Sequence, residues 1–288
     1  MRITDRMLHD GAVRELQANV GRLAVSQEQV ATTRRLNRPS DDPSQVRTAV
    51  KLRESMAELD QYVRNIDTAD ETLAGSDAAL KASGEIMQRA RELAVQGAND
   101  TLSGTDRNSI AIEVNQLIEG LLQQTRAKSS DSYLFSGFRT DIAPYATAAG
   151  PYLGDAGAID ARIAPGASLQ LNVTADVAFA PALAALTKLQ GELTSGARVS
   201  GATLTALDGG LDAIIAARGT IGARQNRLEA TRSYLGESIF AAQKLLSGLE
   251  DADMAQVISD LASREASYEA ALKVNARVMS TTLLDFLR

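Results

Sequence analysis

Apolar residues recur along this chain at alternating steps of four and three. From Leu52 the series runs Leu52, Met56, Leu59, Val63, Ile66, Asp70, Leu73, Asp77, Leu80, Gly84 and Met87, with eight of eleven positions apolar. From Leu204 it runs Leu204, Leu207, Leu211, Ile214, Arg218, Ile221, Gln225, Leu228, Arg232, Leu235, Ile239, Ala242, Leu246 and Leu249, with eleven of fourteen apolar. Ile110, Val114, Leu117 and Leu121 make a shorter copy. A 3.5-residue period held over several heptads puts one stripe on one side of a helix and demands a facing stripe, as in a coiled coil.

Proline agrees with this. Pro39 and Pro43, then Pro144, Pro151, Pro165 and Pro181, are all the chain has, so 44–143 and 182–288 are free of it. Since proline costs about 3 kcal/mol inside a helix, such tracts predict long helices. At about 1.5 Å per residue, a helix from Ser44 to Gly97 is about 80 Å long, which predicts a rod.

Both ends carry weaker stripes. The first is His9, Val13, Leu16, Val20, Leu23, Gln27, Val30 and Arg34; the last is Met254, Ile258, Leu261, Glu265, Tyr268, Leu272, Asn275, Met279, Thr282 and Phe286. An isolated amphipathic helix is marginal in water unless its face is buried, so these ends are expected to be disordered in the monomer. Each has a strong start signal at its break. Asp42 with Pro43 and Gln45 reads as N-cap, first helical residue and capping-box partner, and Asp253 with Gln256 has the same spacing.

Residues 133–181 differ. They hold Tyr133, Phe135, Phe138, Tyr145, Tyr152 and Phe179, four prolines, and alternating Leu169, Leu171 and Val173, which predicts a small β-containing insert. The expected architecture is mainly α: an elongated rod of long antiparallel coiled-coil-like helices, a β-bearing tip, and termini together at one end. The expected division is 1–40 with 250–288 as terminal helices, 41–143 with 184–249 as the rod, and 144–183 as the insert.

Composition narrows the chemistry. With 48 Ala and 34 Leu among 288 residues and only 11 aromatics, the chain has an all-α composition. It has no Cys and a single His, which removes disulfides, thiol nucleophiles and the paired imidazoles of most catalytic metal sites. A net charge of −6 gives no basic field for nucleic acid, so that partner is set aside. Asp41-Asp42 and Asp251-Asp253 lack the ligand series of a calcium loop and read as helix caps. Arg34, Arg35 and Arg38 could touch phosphate, but a solvated helix end is the plainer reading. Met7, Met56, Met87, Met254 and Met279 lie at or near the seams, with Met254 and Met279 as candidates for an adaptable binding face. No glycine-rich phosphate loop follows a strand, and no cofactor is expected. The opening residues show no signal-peptide run, and no window approaches the roughly 18 apolar residues of a membrane span. What remains is assembly through unfinished amphipathic ends.

Particular residues then carry a resemblance. Asn37-Arg38-Pro39-Ser40-Asp41-Asp42-Pro43, Gln61-Tyr62, Arg64-Asn65-Ile66 and Leu93-Ala94-Val95-Gln96-Gly97-Ala98-Asn99 resemble the amino-terminal signature of bacterial flagellins. Thr220 to Leu228, Leu249 to Ala255 and the ending Ser280 to Leu287 are similar to the carboxyl-terminal one. Within that superfamily, Met1 to Met7 and Tyr133-Leu134-Phe135-Ser136-Gly137-Phe138 resemble the hook-associated junction branch. The resemblance implies an extracellular ring of subunits at the hook-filament junction, with both terminal helices in the axial core. Its implied neighbours are other copies of the chain, a neighbouring hook-associated protein and flagellin. It also implies passage through the flagellar type III export apparatus without a cleaved signal peptide, and a cytosolic export chaperone on the tail. Candidate assembly or chaperone contacts are Leu16, Val20, Leu23, Met254, Ile258, Leu261, Tyr268, Leu272, Met279 and Phe286. Two rivals stay open: a short flagellin that builds the filament itself, and a coiled-coil signalling module. An enzymatic insert would have to work without His or Cys.

Overall fold

A computed structural model describes residues 5–286, with side chains from Met7 to Arg277 except Leu8 and His9. Among the described residues there are seven helices: α1 (Asp5–Thr32), α2 (Pro43–Gly97), α3 (Gly104–Thr125), α4 (Ala175–Ala178), α5 (Ala180–Thr194), α6 (Gly201–Glu250) and α7 (Met254–Phe286). Four short strands form two antiparallel hairpins, β1 (Lys128–Ser129) with β2 (Ser132–Tyr133) and β3 (Asp160–Ala164) with β4 (Ala167–Gln170). The mainly α class with a small β insert, read from composition and period, is the class the structure has.

The chain divides into two compact units, one of residues 1–57 with 238–288 and one of 58–237. The boundaries fall inside α2 and α6, whereas the sequence reading divides the chain at the breaks near 40 and 250. The β structure also begins earlier than expected, at Lys128, and α5 already starts at Ala180.

The 58–237 unit holds the hydrophobic core. On α2 the buried line is Tyr62, Ile66, Ala69, Leu73, Ser76, Leu80, Ser83, Met87, Ala90 and Ala94. Ile66, Leu73, Leu80 and Met87 are those the heptad count finds, while Tyr62 is buried in place of the counted Val63. The alternate positions are a correction: the small Ala69, Ser76, Ser83 and Ala90 face inward, not Asp70, Asp77 and Gly84. Their size lets neighbours approach, and the buried Ser76 and Ser83 hydroxyls are satisfied by donating to the carbonyls of Thr72 at 2.9 Å and Ala79 at 2.7 Å. On α6 the line is Thr203, Leu207, Ile214, Ala217, Ile221, Leu228 and Leu235, again with large residues seven apart.

Charges flank this seam and set its direction. Asp67 pairs with Arg232, Asp77 with Arg218 at 2.9 Å, and Arg91 with Asp208 at 2.6 Å. Numbers rise on α2 as they fall on α6, so the helices are antiparallel. Arg218 and Arg232, which the heptad count places on the stripe, are therefore edge residues. On the next helix, α3, Ser103 and Asp106 form a complete capping box, and α3 packs against α5, where Gln190 donates to Asn115 at 2.8 Å. Glu192 of α5 takes up the start of α6, accepting from the Ser200 N–H at 3.0 Å and from the Ser200 and Thr203 hydroxyls at 2.8 Å.

The insert is anchored by residues quoted above as signature. Phe135 and Phe179 meet edge to face, with ring centroids 4.9 Å apart and both rings fully buried. Gly137 is left-handed, φ 69°, with Asp155 against the place a Cβ would occupy. Asn65 of α2 donates to the Arg162 carbonyl at 2.9 Å, and Arg224 of α6 donates to the Asn172 carbonyl at 2.9 Å, so both helices hold the β3–β4 hairpin. Burial pushes the Arg224 guanidinium below its ordinary value.

Gly210 tests the packing. A Cβ there would lie 2.7 Å from the Cα of Ala182 in α5, against backbone that cannot rotate away. Gly210→Val is expected to destabilise the protein by about 1–3 kcal/mol through overpacking. Gly219→Ala, in an open helical position, is expected to stabilise by about 0.5–1 kcal/mol. Urea unfolding of both variants checks the pair.

Candidate assembly surface and its connectors

The terminal unit joins the two ends of the chain. Arg264 of α7 donates to the Arg22 carbonyl of α1 at 2.8 Å, and the Ala252 N–H donates to the Thr33 carbonyl at 3.0 Å. As 264 lies by 22 and 252 by 33, α1 and α7 run antiparallel.

The covered line of α1 is Ala12, Leu16, Asn19, Leu23, Ser26 and Val30, with Ser26 buried; that of α7 is Met254, Val257, Leu261, Arg264, Tyr268, Ala271 and Asn275. Leu16, Leu23, Met254, Leu261 and Tyr268 are thus candidates on the covered side. Val20, Ile258 and Leu272 are not; they are exposed by 43%, 54% and 42%. The covered line differs from the heptad stripe because it uses small or polar residues, Asn19, Ser26 and Arg264, in the alternate positions. Each terminal helix therefore has two apolar edges, one covered and one open, the open one including Val13, Val20, Ile258, Leu272 and Val274. The side chains of His9, Met279 and Phe286 lie outside the described residues.

Between the helices lie two connectors, 33–42 and 251–253, the second entered from Glu250, the last residue of α6. Asp41 Oδ2 accepts from the N–H groups of Asn37 at 3.0 Å and Arg38 at 2.8 Å, closing the first turn. Asp42 Oδ1 caps α2, accepting from the N–H groups of Ser44 and Gln45 at 3.0 Å each, with Pro43 first in the helix. Gln45 Nε2 donates to the other oxygen of Asp42 at 2.6 Å, a side-chain bond that departs from the expected capping box. Asp253 caps α7 through Ala255 at 3.0 Å and Gln256 at 3.3 Å, and the Gln256 side chain is exposed.

The arginines before the turn are exposed, as a solvated helix end would be, but each also has a partner. The Arg35 N–H donates to the Glu250 carbonyl at 2.6 Å, and its guanidinium donates to the Leu249 carbonyl at 2.9 Å and to Gln45 at 2.5 Å. Arg38 pairs with Glu28 at 2.8 Å. Glu250, 5% exposed, has Arg53 at 2.6 Å and Arg34 at 3.9 Å. Sequence reasoning had no signal for Glu250, whose partners lie some 200 residues away, nor for Asn19, Ser26 and Arg264.

Elsewhere, a cleft of about 610 Å³ in the other unit is lined by Tyr145, Tyr152, Asp176, Leu183 and Lys188. Burial and the nearby Asp176 raise both phenols, which keeps them protonated and unfit as bases. Among the described residues no acidic or His cluster could hold a metal ion, and no helix is long and apolar enough to cross a membrane.

Two family models match the chain: the bacterial flagellin N-terminal helical region over residues 3–140, and the C-terminal helical region over 204–287. The chain belongs to the bacterial flagellin superfamily. This flagellin-superfamily chain is 24% identical to flagellar hook-associated protein 3 of Escherichia coli over 95% of each chain. It is 25% identical to that of Salmonella typhimurium over the full length of both. A structure of a flagellar hook-associated protein from Vibrio parahaemolyticus covers 73% of the chain and all of its own, with a TM-score of 0.66 at 23% identity, and so shares the fold.

The connector caps predict a pH response. Bonds from the Gln45 N–H and then Ser44 hold the Asp42 carboxyl below its ordinary value of 3.8, so its stabilisation is present above that pH and lost as pH falls through the lowered value. The melting-temperature gap between the unaltered chain and Asp42→Asn is therefore expected to be full near neutrality and to narrow below pH 3.8.

Proposed function

We propose that this protein is a structural subunit of the bacterial flagellum that forms the junction between the hook side and the filament, and on which flagellin assembles. The observation that carries the reading is the pairing of both signature-bearing termini in one unit whose helices keep open apolar edges. Full-length likeness to two hook-associated proteins 3 supports the position at the junction. The role is one of scaffold, not of catalyst.

In this reading the parts of the terminal helices of 1–40 and 250–288 that lie away from the connectors are disordered before assembly and become ordered when neighbours cover Val13, Val20, Ile258 and Leu272. The parts 41–143 and 184–249 form the helical body, and 144–183 the exposed insert. Copies of the chain, a neighbouring hook-associated protein and flagellin are the partners at the junction. The chain leaves the cell through the flagellar type III export apparatus without a cleaved signal peptide, its tail covered until then by a cytosolic chaperone that contacts Leu261, Tyr268, Leu272 and Met279.

Deleting the gene, imaging the cell-surface hooks and assaying the medium for flagellin tests the reading. Bare hooks with intact flagellin lost to the medium are expected. Loss of the bulk filament protein would make the chain a flagellin instead, and unchanged flagella would overturn both readings. A finer test is Leu272→Asp: because Leu272 is already 42% exposed, the charge should leave the free protein's helix content and melting temperature unchanged while abolishing filament attachment. Normal filaments in that variant would refute the role given to the tail.

A further inference from the structure

The connectors make more contacts with each other than helix capping requires. The Arg35 N–H reaches the Glu250 carbonyl at 2.6 Å, the Ala252 N–H reaches the Thr33 carbonyl at 3.0 Å, and Arg34 and Asp251 form a β-bridge between the two segments. Glu250 lies under this patch, its carboxylate on Arg53 and Arg34. A carboxylate this deeply covered is costly without its cations, and here they come from the other connector and from α2. Thr33 sits at φ 58°, a left-handed conformation that a β-branched residue adopts only when its surroundings impose it. Its carbonyl is the acceptor for Ala252, so the bridge and the strained turn hold each other.

We infer that Glu250 is the latch of a single joint made from both connectors, so that the turns leading into α1 and α7 lock or release together. Capping alone would let them act separately: Asp42 and Asp253 each serve their own helix. The cross-connector bonds make each turn a condition for the other. A chain whose terminal helices must take up fixed directions at the same time would gain from such a joint, whatever the chain assembles into, so the inference does not rest on the proposed function.

The test is amide hydrogen exchange on the full-length protein, read at Arg35 and Ala252, whose N–H groups make the two cross-connector bonds. Glu250→Ala, which alters only the end of α6 that enters the second connector, is expected to speed exchange at both amides by at least about tenfold while leaving the α2 core near Leu73 unchanged. Arg53→Gln, made from the opposite side, should do the same, and the two changes combined should be no worse than Glu250→Ala alone. Glu28→Gln, which removes only the outlying partner of Arg38, should leave both amides as they were. Faster exchange at Ala252 with Arg35 unaffected, additive losses in the double variant, or no protection at either amide in the unaltered chain would each overturn the inference. If Glu250→Ala fails to fold, Arg53→Gln and Glu250→Gln carry the same comparison.

Discussion

The close approach of helices along a seven-residue repeat of large and small side chains is the constraint on which the 58–237 unit depends. Leu73, Leu80 and Met87 each follow a small residue on α2, and α6 repeats the arrangement with Thr203 before Leu207 and Ala217 before Ile221. A large residue seats in the space a small one leaves, so the seam reaches full coverage with few aromatics. The serines cost little because each returns its hydroxyl to its own helix, which removes the penalty of a buried donor without asking anything of the neighbour. Direction comes from elsewhere. A repeat this regular would accept several registers, and the pairs Asp67–Arg232, Asp77–Arg218 and Arg91–Asp208 favour one.

With the helices registered, the insert has fixed points to attach to. Asn65 reaches the β3–β4 hairpin through the Arg162 carbonyl, and Arg224 holds its far end through the Asn172 carbonyl and the Gln170 side chain at 3.2 Å. Phe135, Ser136 and Gly137 do the same for the turn beside it: a buried ring, a hydroxyl donating to Ile142 at 2.7 Å, and a residue whose missing Cβ admits Asp155. These are signature positions, and the physical reason is that each receives the insert.

What the sequence made legible follows from what a hydrophobicity count can see. The period, the long helices, the mainly α class and the strong start at Asp42-Pro43 were plain, because each rests on residues close together in the chain. The phase of the seam was only half legible. Ile66 and Leu73 announce themselves, but Ala69 and Ser76 do not, so the count settled on Asp70 and Asp77 one residue away. At the ends the stripe was legible as apolar, but not which of its residues the partner helix covers: Asn19, Ser26 and Arg264 lie on the covered line, and Val20, Ile258 and Leu272 stay open. Contacts such as Arg53 with Glu250 were not legible, because nothing near either residue hints at the other.

The composition of the covered line bears on function. A helix that buries only its strongest apolar edge is finished once it is paired; α1 and α7 pair through lines containing Asn19, Ser26, Arg264 and Asn275, and leave valine, isoleucine and leucine outside. The arrangement is poor for a free monomer, since polar contacts at a thin interface contribute little beyond what water offers. It suits a subunit. A pairing that is only moderately favourable can order late, while the open edges keep apolar area for neighbours that bury it on arrival. The distribution of burial, with one apolar edge covered through a line that also holds polar residues and a second apolar edge left open, is thus what an assembling end requires and what a self-sufficient domain would avoid.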